Sequence, residues 1–265
     1  MLKDITIGQY FPGNSVIHRL DPRIKIVLTF VLIISLFTAG SMPGYGICAL
    51  FVLTGLGLSR VPVKYVFKGL RPLIIILLLT IFVNMFMVEG EVVYSLGPLD
   101  ITREGLVQAA RMATRLVLLV MGASLLTLTT SPIALTDGIE KLLSPFRRVG
   151  VPAHELAMMM TIALRFIPTL LDETDKIMKA QMARGADFES GNLVNRAKNL
   201  VPLLVPLFIS AFRRADELAL AMESRCYRGG KGRTRLKVLH MAGRDYLALL
   251  LGAVILLAAA ASRGW

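Results

Sequence analysis

Two arginine-centred triplets, Ala183-Arg184-Gly185 and Ser224-Arg225-Cys226, stand forty-one residues apart in the chain. Arginine in such a position binds rather than reacts. Its planar guanidinium presents several fixed donors and can bridge carboxylates and backbone carbonyls in the groove of a partner. A single cation at a helix C-terminus is worth only about 0.3–1 kcal/mol through the helix dipole. Two at the ends of matched helices point to docking. The same offset aligns Asp175 with Asp216, Ile177 with Leu218 and Ala180 with Ala221, as expected of two variants of one element.

The other reactive side chains give little support for catalysis. His18, His154 and His240 are scattered and lack the paired helical spacing of a zinc hydrolase, so no metal site and no cofactor is expected. The stretch Gly229-Gly230-Lys231-Gly232-Arg233-Thr234 is glycine-rich and basic, but it lacks the spacing of a phosphate loop. It reads as a flexible connector, and the chain is not expected to bind ATP itself. The neighbouring acids Glu173 and Asp175, or Asp216 and Glu217, do not share a helix face and read as solvated. Arg111 and Arg115 do share one. They fall near the start of an apolar run, close to the outer interface, where snorkelling would accommodate them.

The elements that must carry these tips are mostly apolar. Hydrophobic residues make up 55% of the chain and its mean hydropathy is +0.65, beyond what a soluble domain usually carries. A helix needs roughly 20 apolar residues to cross the hydrocarbon core. Four or five runs approach that length, at about 26–39, 45–59, 72–88, 106–130 and 246–261. The loop after the third run carries Glu89, Glu91 and Asp100. A cleavable signal peptide is not expected, and Cys48 and Cys226 fall in different places, so no disulfide is expected.

Between the fourth and fifth runs lies a block holding 18 of the 30 Lys and Arg and 12 of the 18 Asp and Glu. Positive charge also collects before the first run and between the second and third. The positive-inside bias therefore puts the N-terminus and the block in the cytoplasm and the C-terminus outside. The net charge of +12 follows from that topology and from anionic lipid, without nucleic acid as a partner. The expected fold is an all-α integral membrane protein of about five transmembrane helices plus a cytoplasmic block of amphipathic coupling helices. Its parts are residues 1–130 with four spans, 131–245 as the block, and 246–265 as the last span.

Within the block, Ser131-Pro132 and Gly150-Val151-Pro152 separate three helical stretches, about 135–146, 154–182 and 200–227. The second is expected to kink at Pro168 and to set Leu171, Thr174, Met178 and Met182 on one stripe, with Asp172, Glu173 and Lys176 turned away. Both long stretches pass from oily to charged along their length.

These residues resemble the transmembrane T component of energy-coupling factor transporters, a branch of the ATP-binding-cassette superfamily. The likeness spans nearly the whole chain. It rests on Leu20-Asp21-Pro22-Arg23, Ala163-Leu164-Arg165-Phe166-Ile167-Pro168, Ala183-Arg184-Gly185-Ala186-Asp187-Phe188 and Ala221-Met222-Glu223-Ser224-Arg225-Cys226-Tyr227. The second triplet departs from the usual Ala-Arg-Gly, and the terminating glycine is expected to shift to Gly229.

The resemblance implies a non-catalytic coupling subunit in the cell membrane. Two cytoplasmic ATPases would dock on Ala183, Arg184, Gly185, Ser224, Arg225 and Cys226. A membrane-embedded S component would capture a vitamin and dock on the subunit. Met158, Met159, Met160, Met178 and Met182 form the expected adaptable contact surface for it. A T component dedicated to cobalt or nickel import is an alternative within the family. A stand-alone channel or a lipid-handling membrane enzyme is one outside it, with Asn84, Arg111 and Arg115 as the polar residues available inside the runs.

Overall fold

In a computed structural model of the chain, residues 10–96, 99–186, 188, 193–230 and 239–262 are described. Their contacts form two compact units, residues 143–236 and residues 8–142 with 237–265. The larger unit is the helical bundle. It contains α1 (Pro22–Thr38), α2 (Met42–Ser59), α3 (Val63–Leu70), α4 (Ile74–Met87), α5 (Arg103–Thr129), α6 (Pro132–Leu143, up to the unit's edge) and α9 (Gly243–Ala261). The smaller holds α7 (Ala153–Ala183) and α8 (Leu193–Ser224).

The bundle core joins four helices through Leu32 and Leu36 of α1, Tyr45, Cys48 and Val52 of α2, Leu118 of α5 and Ala259 of α9. Side chains such as Phe30, Leu50, Ile75 and Leu257 stay exposed on the outside, as expected where lipid is the solvent. Two glycines let the backbones approach. A Cβ at Gly122 of α5 would overlap the tip of Leu32, and one at Gly252 of α9 would overlap the tip of Leu28, so a larger residue at either position requires the leucine to shift.

Helix direction is fixed by polar ties at one end of the bundle. The buried carboxylate of Asp245 accepts the backbone N–H of Asp21 at 2.9 Å and that of Ala242 at 2.7 Å. It thereby joins the N-termini of α1 and α9, where the helix dipoles favour negative charge. Arg23 completes the junction by donating to the Leu239 carbonyl at 2.9 Å. Lys25 donates to the Thr129 carbonyl at 2.8 Å, so α5 ends where α1 begins. The bundle therefore alternates: α1 and α9 start at this face, and α2 and α5 return to it.

Among the described residues five helices are long and apolar enough to cross a membrane, and the chain is an all-α, multi-pass membrane protein. They are α2, the 25-residue stretch from Val63 to Met87, α5, α7 and α9. This set differs from the sequence expectation. The first run forms α1, whose 17 residues start at Pro22 behind its Asp21 cap rather than at residue 26 and end before Ala39 in extended backbone; it packs among the spans but is one residue shorter than α2, the shortest of the five. The 31-residue α7, expected within the cytoplasmic block, joins the set by length and composition alone.

The structure revises other boundaries. The loop after α4 contains an antiparallel hairpin, β1 (Val92–Leu96) and β2 (Leu99–Thr102), which the β-branched Val92 and Val93 favour. The basic segment before the third run is itself helical in α3, with Val66 buried. The expected 135–146 helix is α6 followed by a 3₁₀ turn over Ser144–Val149. The last stretch of the block starts at Leu193 rather than residue 200 and ends at Ser224 rather than Tyr227. Arg115 does not snorkel: its Nη2 donates to the Tyr45 hydroxyl at 2.6 Å and its guanidinium lies 5.1 Å from the Phe37 ring centre.

Candidate functional site

The two triplets cap α7 and α8, and their backbones end in the same way. Arg184 N–H donates to Gln181, Gly185 N–H to Met182 and Ala186 N–H back to Gln181, at 3.0 Å each. Forty-one residues on, Arg225 N–H donates to Met222 at 3.2 Å, Cys226 N–H to Glu223 at 2.8 Å and Tyr227 N–H back to Met222 at 3.0 Å. In each the third position is left-handed, with φ 90° at Gly185 and 56° at Cys226. The bonds that close each end reach back three and five residues, as in a Schellman turn.

This overturns the expectation that termination shifts to Gly229. Cys226 takes the left-handed position itself, at a cost of roughly 1–2 kcal/mol for a residue with a Cβ. The six tip residues Ala183, Arg184, Gly185, Ser224, Arg225 and Cys226 are all exposed. Both guanidiniums are therefore presented on a fixed turn rather than on a frayed end.

The helices run antiparallel. Gln181 of α7 donates to the Pro202 carbonyl of α8 at 3.4 Å, while Ile162, Phe166 and Leu170 face Ala211, Ala215, Leu218 and Met222 around a cavity of about 260 Å³. The tips consequently lie at opposite ends of the pair. About 33 Å of helix rise separates Pro202, level with the first tip, from Ser224 at the second.

Between the tips sits an interaction the sequence reading missed. Glu173 accepts two bonds from Arg214, at 2.7 Å from Nη2 and 3.2 Å from Nε, and one from the Ser210 hydroxyl at 2.7 Å. Glu173 thus faces α8 instead of turning away to solvent. The signal was available: residues 173 and 214 are also forty-one apart. Asp175 is held by Lys179 on its own helix, at 2.7 Å.

The methionines do not gather on one surface. Met159 and Met160 are exposed near the start of α7, Met182 is exposed near its end, and Met158 and Met178 are half-buried. A rise of about 30 Å separates residue 158 from residue 178. Asp187 and the Lys231–Thr234 part of the glycine-rich stretch lie outside the described residues. Among the described residues no cluster of three or more His, Cys, Asp or Glu suited to a metal ion occurs.

Comparison with known proteins adds a second kind of observation. Residues 13–236 match the family described as CbiQ, cobalt transport protein. The chain is 66% identical over 249 residues to a protein of Thermosediminibacter oceani, with 94% of each chain covered. It is 60% identical over 267 residues to one of Clostridium kluyveri, covering 100% of this chain and 99% of that protein. A Bacillus subtilis protein is 49% identical over 246 residues, with 92% and 93% covered. All three relatives carry the name energy-coupling factor transporter transmembrane protein EcfT.

Proposed function

The chain belongs to the CbiQ family of transporter membrane proteins, as the transmembrane component of an energy-coupling factor transporter, and from that premise we propose that its two tips receive two cytoplasmic ATPases. The subunit passes their ATP-driven motion to a membrane-embedded S component that delivers a vitamin inward. It performs no bond-making step itself, and ATP is hydrolysed on the partner chains.

One observation carries this reading: two helix ends of the same backbone form, each presenting one arginine, at opposite ends of an antiparallel pair. Two like tips suit two like motors. Each guanidinium enters a groove on one ATPase and pairs with carboxylates or carbonyls there. The Glu173–Arg214 clamp makes α7 and α8 move as one lever, so displacement at either tip reaches the apolar halves of both helices. Met158, Met159 and Met160 at one end and Met178 and Met182 at the other supply adaptable contact surface for the S component. The N-terminus and residues 131–245 face the cytoplasm and the C-terminus lies outside, a reading supported by the distribution of basic residues.

Co-purification of the full chain with candidate ATPases tests the docking role. Arg184→Ala and Arg225→Ala should each release part of the ATPase, and the double change should release nearly all of it. A buried interfacial arginine costs about 2 kcal/mol or more on truncation, roughly thirtyfold in affinity. Equal capture by all four proteins, with normal folding, would refute the assignment. A second reading, import of cobalt or nickel, is favoured by the family description as a cobalt transport protein. Uptake of labelled cobalt against labelled vitamin by the reconstituted complex separates the two.

A further inference from the structure

Coupling makes no use of a second charged feature in the bundle. At the face opposite Asp245, where α1 ends and α2 begins, a cavity of about 240 Å³ is lined by Phe37, Thr38, Tyr45, Gln108, Arg111 and Arg115 among others, with no acidic residue in its wall. Arg111 and Arg115 lie one turn apart on α5. Arg115 is held by the Tyr45 hydroxyl at 2.6 Å, and its guanidinium lies over the rings of Phe37 and Tyr45 at 5.1 and 5.7 Å. The Nε atoms of both arginines are buried and have no hydrogen-bond partner among the described residues.

Two like charges at this spacing repel. Their Nε atoms are shut off from solvent, which raises that cost, and a guanidinium cannot shed its proton to escape it. The nearest acid along α5 toward the hairpin, Glu104, is engaged elsewhere by the Glu91 N–H at 2.8 Å. What the cavity lacks is an anion, and two guanidiniums one helical turn apart on its wall match the oxygens of a phosphate.

Depth and surroundings identify its source. The cavity is level with the α1–α2 turn, where a bilayer places its headgroups. Directly inward from it along α1 runs an exposed apolar stripe, Phe37, Ile34 and Phe30, at helical spacing. We propose that this cavity seats the phosphate of an anionic phospholipid, with the acyl chains lying along that stripe. A choline or ethanolamine headgroup would add a third cation to the site, so net-anionic lipid is selected.

The test uses the purified full-length chain in its transporter complex. Native mass spectrometry and thermal unfolding would be recorded with three probes: short-chain phosphatidylglycerol, short-chain phosphatidylcholine and inorganic phosphate. Arg111→Gln is the variant of choice, because Arg111 has no hydrogen bond among the described residues to lose, unlike Arg115. Phosphatidylglycerol should bind about tenfold tighter than phosphatidylcholine, and Arg111→Gln should erase about that tenfold preference while Arg111→Lys keeps part of it. Equal binding of the two lipids, or a preference unchanged in Arg111→Gln, would overturn the proposal. Occupancy by inorganic phosphate as strong as by phosphatidylglycerol would overturn the assignment to lipid.

Discussion

Glu173 and Arg214 occupy the same position in two copies of one helical element, and they bind each other at 2.7 Å where the copies cross. Each stands eleven residues before the arginine of its own tip, 173 before 184 and 214 before 225. The clamp is therefore the midpoint of the pair, with about 16 Å of helix on either side. An ion pair at the midpoint fixes register for both arms at once.

Breaking this clamp should loosen the lever without unfolding the bundle. The Arg214 side chain is 38% exposed and that of Glu173 25%, so solvent screens the pair and its worth is about 1 kcal/mol. Glu173→Gln and Arg214→Gln should each lower the thermal unfolding midpoint by a few degrees. The double change should cost little more than either alone, and additive losses would show that the two residues act independently.

The second tip carries strain that the first does not. Cys226 holds φ 56° with a Cβ, whereas Gly185 holds φ 90° without one. Cys226→Gly should stabilise the α8 end by up to about 1 kcal/mol, the relief offset in part by the looser unfolded chain. Gly185→Ala should destabilise the α7 end by about the same amount. Thermal unfolding of the two variants side by side checks the opposite signs. ATPase capture by Cys226→Gly should be retained, since the arginine and the turn both remain.

How far the chain could be read without coordinates differs from element to element. The apolar runs marked α2, α5 and α9 to within a few residues, because lipid demands an unbroken stretch and leaves no polar alternative. Residues 154–182 marked α7 nearly as well. The hairpin after α4 escaped because short strands have weak signals beside long helices. Glu173 was misassigned because a period-3.6 stripe separates apolar from polar faces, and here a polar residue faces the neighbouring helix. Cys226 was misplaced because glycine is the expected left-handed residue, yet a helix end enforced by three backbone bonds can hold another.

Asp245 should prove indispensable to the bundle. Only 1% of it is exposed, and it satisfies two backbone N–H groups from opposite ends of the chain. Asp245→Ala would leave the Asp21 N–H buried and unpaired, at about 1–3 kcal/mol, and would remove the cap bond from the exposed Ala242 N–H. Asp245→Asn keeps one acceptor oxygen and should cost less. Yield of folded protein from the membrane and its unfolding midpoint in detergent should rank wild type above Asn above Ala. Equal stability of the three would show that water or another group replaces the carboxylate.

The glycine at the α1–α9 crossing provides an independent check on helix order. Gly252 meets Leu28 where a Cβ would overlap it, so even alanine forces the helices apart or drives Leu28 from its rotamer. Overpacking of this kind costs about 1–3 kcal/mol. Shortening the opposing side chain should recover most of it, because the clash is with one flexible tip rather than with backbone. Gly252→Ala should therefore lower the unfolding midpoint, and Gly252→Ala with Leu28→Ala should restore part of the loss despite deleting apolar volume. If the second substitution only adds to the damage, α1 and α9 do not cross at this pair, and the parallel start of the two helices at Asp21 and Asp245 would have to be redrawn.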